Sequence, residues 1–544
     1  MVIMLNKKAK ILLIILFTVG ILIIISSMGI ASSPSIVRYS SDWPLSIDPA
    51  IGMDVQCVVA YINLFDPLVF LDSKGNAIPH VAKSWDVSSD GFTYTFYLRP
   101  GIKFHNGEEI TAEDVKFSMD RLLAIGEGCG YIWLGKIQET EVVDKYTVKF
   151  VLEETFGPFI KTLYSFYIVN KDLIMANIEK PGMYGDMGDY GKKYVSSNDV
   201  GSGPYMIKKY NRAEYLLMEK NPNYFLEISS APDEFKMIGS TEPVLLQTLM
   251  SRRELEMTNR WCADETLESI AKIKGVEIAR WPGGTVTYIA MNTKRPPLDD
   301  IHVRKALAWA FDYDTAVKLF AGSIQARGPL ALDLPGNDPN CFQYHRDLER
   351  AKAELKKSKY YGHFDEYPID CRWNSNIPQE KMAMLIMANA SDIGLSVNVT
   401  ETTWALFSAA SSSIETTPQL HSSLHTPYYP EAGSVLQSRY HSITTGTSAQ
   451  SEWLLDPVLD EMIDDALSTV DENERYSKYK EIVKYIIDLC PTIFVAETPE
   501  CVAYQAGYME YPAAKGEPIS AYQYENCMRF IKVDNEKREK LLKK

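Results

Sequence analysis

The sequence predicts a mixed α/β protein of more than one domain. Three observations carry that expectation. The chain has 544 residues, enough for two or three cores of ordinary domain size. Two runs, 92–99 and 146–152, alternate apolar with polar residues at the period of a half-buried strand. Between 346 and 399 the patterns of helix, strand, helix and strand follow one another, an order that favours a right-handed crossover in a partly parallel sheet.

The elements can be justified in chain order. Ile36 to Tyr39 reads as a first strand, leading into a loop from Trp43 to Pro49. In the run at 92–99, Phe92, Tyr94, Phe96 and Leu98 face one way, and Arg99-Pro100-Gly101 closes it with a turn. Thr111-Ala112-Glu113-Asp114 has the form of a capping box. Val115, Met119, Leu122 and Leu123 behind it make one apolar helical face. Tyr146, Val148, Phe150 and Leu152 are a second alternating strand, and 180–200 reads as loop. Gly201-Ser202-Gly203-Pro204-Tyr205 is a tight turn. It lacks the Lys-Ser/Thr of a phosphate-binding loop and the spacing of a nucleophile elbow. Strand-like runs follow at 205–210 and 215–219, then Asn221-Pro222-Asn223-Tyr224.

Tyr288 to Asn292 is a short apolar strand that two prolines, Pro296 and Pro297, prevent from continuing. Asp299 or Asp300 caps a helix whose Val303, Ala306, Leu307, Ala310 and Phe311 share one buried face. Beyond Gly322 come helices near 346–357 and 379–393, strands holding Ile369, Cys371 and Trp373 and then Leu395, Val397 and Val399, and long helices at 456–468 and 473–489. The basic tail from Lys537 is expected to fray.

Charge and leader bound the function. With 56 basic against 71 acidic residues the net charge is −15, which makes nucleic acid an improbable partner. Lys7, Lys8 and Lys10, the apolar run Ile11 to Ile25 and the small residues Gly29 and Ala31 form the pattern of a secretory signal peptide over 1–31. An uncleaved membrane anchor is the alternative, since a span needs about 20 residues. Eight cysteines occur without a CxxC pair, so a zinc ribbon or thioredoxin-like site has no support. Pairs such as Cys490 with Cys501 or Cys341 with Cys371 and free buried thiols both remain open.

Several segments, in order, resemble the peptide/nickel family of solute-binding proteins, family 5, the extracytoplasmic receptors of ABC importers. They are Leu45–Ala50 with the block from Val81 to Leu123, Gly201–Tyr205 with Asn221–Tyr224, Tyr288–Asp314, Leu348–Leu355 and Tyr476–Pro491. The resemblance implies a two-lobed periplasmic-binding-protein-like clamp (type II) with an extra α+β domain inserted in the first lobe. Lobe I would comprise 36–71, 200–292 and 500–533, the extra domain 72–199 and lobe II 293–499. A basic tail would cover 534–544, with hinge crossings near 292 and 499. It further implies a monomer near the membrane that captures a solute by lobe closure and delivers it to ABC permease subunits, with no cofactor and no catalytic group. The residues agree on the last point, because His80 and His105 have no motif partner.

In peptide-binding relatives an aspartate pairs with the ligand's α-ammonium, and the resemblance places Tyr428 at that position. A neutral phenol cannot replace a carboxylate facing a buried ammonium. Glu431 could take its place if the alignment slips by a few residues. The rings of Trp43, Trp261, Tyr428 and Tyr429, in loops expected to face the cleft, suit peptide side chains or sugar faces. His421, His425 and His441 cluster in sequence as weak candidates for a metal or metal chelate. The ligand-binding candidates are therefore Trp43, Trp261, His425, Tyr428, Tyr429 and Glu431. The solute is expected to be a peptide or peptide-like molecule. An oligosaccharide, a nickel or other metal chelate, and a sensing role without transport remain open.

Overall fold

The computed structural model describes residues 34–543, apart from 42, 53, 73, 213, 240–241, 375–378 and 517–523. The leader expected over 1–31 lies outside the described residues. No described helix is long and apolar enough to cross a membrane.

Three sheets organise the chain. The first has the spatial order Ile36–Ser40, Glu234–Ile238, Tyr215–Lys220, Tyr205–Asn211; its first pair is parallel and the others antiparallel. Val37, Tyr39, Leu216, Met218, Phe235 and Met237 form its buried face. The turn at Gly201–Gly203 is pressed against the end of the helix Val55–Leu64. A Cβ on Gly201 would lie 1.9 Å from the carbonyl oxygen of Leu64. His105 pins the same turn, with Nδ1 2.7 Å from Asp199 and Nε2 3.0 Å from the carbonyl of Gly203.

The second sheet is an antiparallel unit with the order Ala82–Val87, Thr93–Leu98, Thr147–Leu152, Ile137–Asp144. Tyr94, Phe96 and Leu98 are buried on one face, as their alternation requires. The helix Ala112–Ile125 starts in a true capping box between Thr111 and Asp114 and stops at Gly126, whose φ of 66° is the left-handed conformation of a C-cap. On this helix Arg121 forms a bidentate pair with Asp48, Nη1–Oδ1 at 2.7 Å and Nη2–Oδ2 at 2.5 Å, which ties the extra domain to the 43–49 loop.

The third sheet has six strands in the order Ile324–Gln325, Thr492–Tyr504, Glu277–Met291, Leu420–His425, Ile369–Asn374, Val397–Thr402. The last three are mutually parallel, as the β–α–β order requires. The helix Ile301–Ala310 is capped by Asp300 and buries Val303, Ala306 and Leu307. Its Arg304 donates to the carbonyls of Leu298, Leu489 and Cys490, satisfying the end of the helix Glu472–Leu489.

The antiparallel strands Glu277–Met291 and Thr492–Tyr504 serve both lobes. Glu277–Trp281 pairs with Glu500–Tyr504 on the first-lobe side, where Met257 bridges Tyr504 to Tyr39. The register breaks between Trp281 and Thr285 at Pro282-Gly283-Gly284, and Val286–Met291 are already bonded to Leu420–His425. The register break of this strand pair therefore lies at 282–284. The apolar run that reads as a separate strand at 288 is the end of this longer one.

One further expectation needs revision, and one open alternative is narrowed. The basic tail is helical over Asn535–Leu542, capped by Asp534 and held by Arg538 donating to the carbonyl of Arg253 at 3.0 Å. All eight cysteines are free thiols, so neither disulfide pairing is present.

Candidate functional site

At the break between lobes the two shared strands place Thr285 beside Glu500. Thr426 Oγ1 bonds Thr285 Oγ1 at 2.8 Å, and Thr285 Oγ1 donates to Glu500 Oε1 at 2.5 Å. Arg260 Nη2 reaches the same oxygen at 2.7 Å and Thr426 Oγ1 at 3.0 Å. Such a charge-assisted chain is cooperative and directional. Gly283 leaves the space that Glu500 fills: a Cβ there would lie 2.1 Å from Glu500 Cγ. The Arg260 guanidinium also covers the Trp261 ring, 4.6 Å from its centroid.

Trp261, Thr285, Thr287, Phe320, Gln379 and Glu500 border a cavity between the lobes. Two helices form the lips. Glu265, on Asp264–Ala271, meets Lys381, on Glu380–Ser391, at 2.5 Å. Beside them the Ala321 N–H donates to Asp264 Oδ2 at 3.0 Å, and Arg280 lies 3.5 Å from Asp264. The wall is rich in acid. Burial pushes the Glu500 carboxyl up, opposed by Arg260 and Thr285. Behind it Glu525 is pushed up to about 7 by burial, with Arg260 pulling it down and Glu500 pushing it further up.

Of the residues singled out in the sequence, Trp261 borders this cavity and remains half-buried. Trp43 covers Gly239, where a Cβ would come within 1.8 Å of its Cζ3. The Tyr428 N–H donates to Ser434 Oγ at 2.7 Å, its carbonyl accepts from the Tyr164 hydroxyl, and its ring stands edge-on to Tyr131 and His425. Tyr429 is core, 1 % exposed and packed with Leu71 and Tyr164. Glu431 does not face the cavity. Its carboxylate is buried, held by Arg475 at 2.7 and 3.1 Å and by the Tyr479 hydroxyl at 2.8 Å.

The three histidines have separate surroundings. His421 stacks on Phe407 at 3.4 Å and His425 Nε2 lies 3.4 Å from Ser438 Oγ; burial and Arg439 hold both rings far below the usual histidine range, hence neutral. His441 faces Asp464 at 3.3 Å. Among the described residues no three His, Cys, Asp or Glu side chains converge as a metal site. His80 is bonded to Asp66 at 2.8 Å, and Ser202 also donates to Asp66 rather than to His80, so no nucleophile–base pair forms there.

The family model for bacterial extracellular solute-binding proteins, family 5, matches residues 76–446. The chain belongs to this family. Family 5 proteins are binding proteins, not enzymes, and the two-lobed clamp with its inserted domain is their fold. Among curated relatives, the chain is 26 % identical to the probable D,D-dipeptide-binding periplasmic protein DdpA of Escherichia coli, covering 82 % of this chain and 85 % of that one. It is 25 % identical to the dipeptide-binding protein of the same organism, with 86 % and 89 % covered. Among solved structures, the periplasmic binding protein DppA of Helicobacter pylori in complex with the peptide STSA superposes with a TM-score of 0.79 at 21 % identity, covering 92 % and 98 %. NikZ of Campylobacter jejuni with Ni(L-His) gives 0.76 at 19 %, covering 88 % and 94 %.

Sequence reasoning on this family 5 chain missed Arg260, Glu500 and Lys381. A signal existed for one of them: Glu500 is a charged residue inside a strand that otherwise reads as buried, and such residues are buried only when paired.

Proposed function

We propose that this protein is the extracytoplasmic receptor of an ABC importer. It captures a small peptide or peptide-like solute in the interlobal cavity and presents the closed form to a membrane permease. The observation that carries this reading is the cavity walled by Trp261, Thr285, Thr287, Gln379 and Glu500, where charged and hydroxyl groups converge beside an aromatic ring. Relatives named for dipeptide and di/tripeptide binding, aligned over most of both chains, support the solute class.

In this reading the first lobe comprises 36–71, about 200–281 and 500–533, the inserted domain 72–199, and the second lobe about 285–499. Solute touching both lobes favours closure because only the closed state makes both sets of contacts. The Lys381–Glu265 and Ala321–Asp264 contacts across the mouth support a closed arrangement. The dispersed histidines give a metal chelate no comparable support. The test is a thermal-shift screen of the mature protein against a di- and tripeptide library, followed by calorimetry and solution scattering. One or more peptides should bind with one-to-one stoichiometry and compact the molecule. Stabilisation by sugars or nickel–histidine and by no peptide would overturn the reading.

A further inference from the structure

Position 428 holds a phenol where an ammonium-binding carboxylate is expected, and the next candidate, Glu431, is consumed by Arg475 and Tyr479. Resting on the peptide reading above, we propose that Glu500 receives a protonated nitrogen of the solute, so that a free amino group is required for binding.

Three features lead to this residue. Glu500 borders the cavity with its side chain only 6 % exposed. Its Oε1 takes the bonds from both Thr285 and Arg260, so among the described residues the hydrogen bonds to this carboxylate all fall on one oxygen. Because Glu500 lines the cavity, its other oxygen is the one left to accept from what the cavity holds. The carboxylate is also oriented in advance, by Arg260, by the Thr426–Thr285 chain and by the space over Gly283. That preorganisation lowers the cost of binding.

Arg260 contacts Oε1, which leaves the second carboxylate oxygen for a donor from the solute. The other acids near the cavity are committed at its lips: Glu265 to Lys381, and Asp264 to the Ala321 N–H and Arg280. The required carboxylate thus comes from the shared strand Thr492–Tyr504 rather than from the loop after Leu420–His425. Thr426, two residues before Tyr428, links the two places.

The test compares Ala-Ala, Ala-Ala-Ala, their N-acetyl derivatives and maltotriose by calorimetry on the unmodified protein, and repeats the free-amine peptides on Glu500→Gln. Acetylation and Glu500→Gln are each expected to weaken binding by about thirtyfold or more, the loss typical of removing one member of a buried charged contact. If an acetylated peptide binds within about threefold of its free-amine parent, the Glu500 assignment is overturned and the peptide reading stands. If no peptide binds, or maltotriose binds instead, both fall. Should Glu500→Gln not fold, the acetylation comparison decides alone.

Discussion

Lys381 and Glu265 face each other across the mouth of the cavity, with Nζ 2.5 Å from the carboxylate. Both side chains are more than half exposed, so the pair is worth only about 0.2–1 kcal/mol and is screened by salt. Its effect on binding follows from its place, because a contact made only when the lobes meet shifts the closing equilibrium. Lys381→Ala is therefore expected to leave the apo melting temperature unchanged and to weaken solute binding by about two- to fivefold. The difference should shrink at 1 M salt. Calorimetry at two ionic strengths checks it; an equal loss at both would remove the electrostatic account.

Trp261 and Tyr429 should separate cleanly. Trp261→Ala is expected to weaken solute binding about tenfold with little change in apo stability, because the ring is half-buried at the cavity wall. Tyr429→Ala removes a ring from the core and should cost about 3–5 kcal/mol in a denaturant titration. The opposite assignment of the two losses would place Trp261 in the core.

The Asp48–Arg121 pair is excluded from solvent on both sides, at 0 % and 1 %. Asp48→Ala leaves a buried guanidinium with only its bond from Nε to the carbonyl of Tyr190. About 3–5 kcal/mol of stability should be lost, read by equilibrium unfolding. A change below 1 kcal/mol would show that water reaches Arg121.

Glu497 gives a pH signature. Burial raises its carboxyl to about 7, and its Oε1 has no partner while Oε2 accepts from the Leu332 N–H. Its ordinary value is 4.5, so between about 4.5 and 7 the folded chain holds a proton that the unfolded chain has released. Stability from this group is greatest below pH 4.5, falls as pH rises through that window and is level above it. Glu497→Gln should make the slope shallower, Glu525 keeping its own share, and gain melting temperature over wild type at pH 8 and little at pH 5. Parallel melting curves for the two proteins across the window would contradict this.

What the sequence discloses depends on the range of the interaction. The strand Thr93–Leu98, the capping box at Thr111 and the cap at Asp300 are set by neighbours a few residues away, and each forms as the pattern requires. Glu431 reads only as a stand-in reached by a slipped alignment, and its partners Arg475 and Tyr479, 44 and 48 residues downstream, leave no local trace beside it. Glu500 could be noticed as a charge in a buried strand. Its orientation needs Arg260 and Thr285, both more than 200 residues earlier, and no local pattern records them.

The strand Thr492–Tyr504 carries a consequence for biogenesis. It sits between Glu277–Met291 and Ile324–Gln325 in one lobe and meets Met257 in the other. A chain that lacks these residues can form the four-stranded sheets but not the six-stranded one, so the residues from Thr492 onward decide when the larger sheet can close.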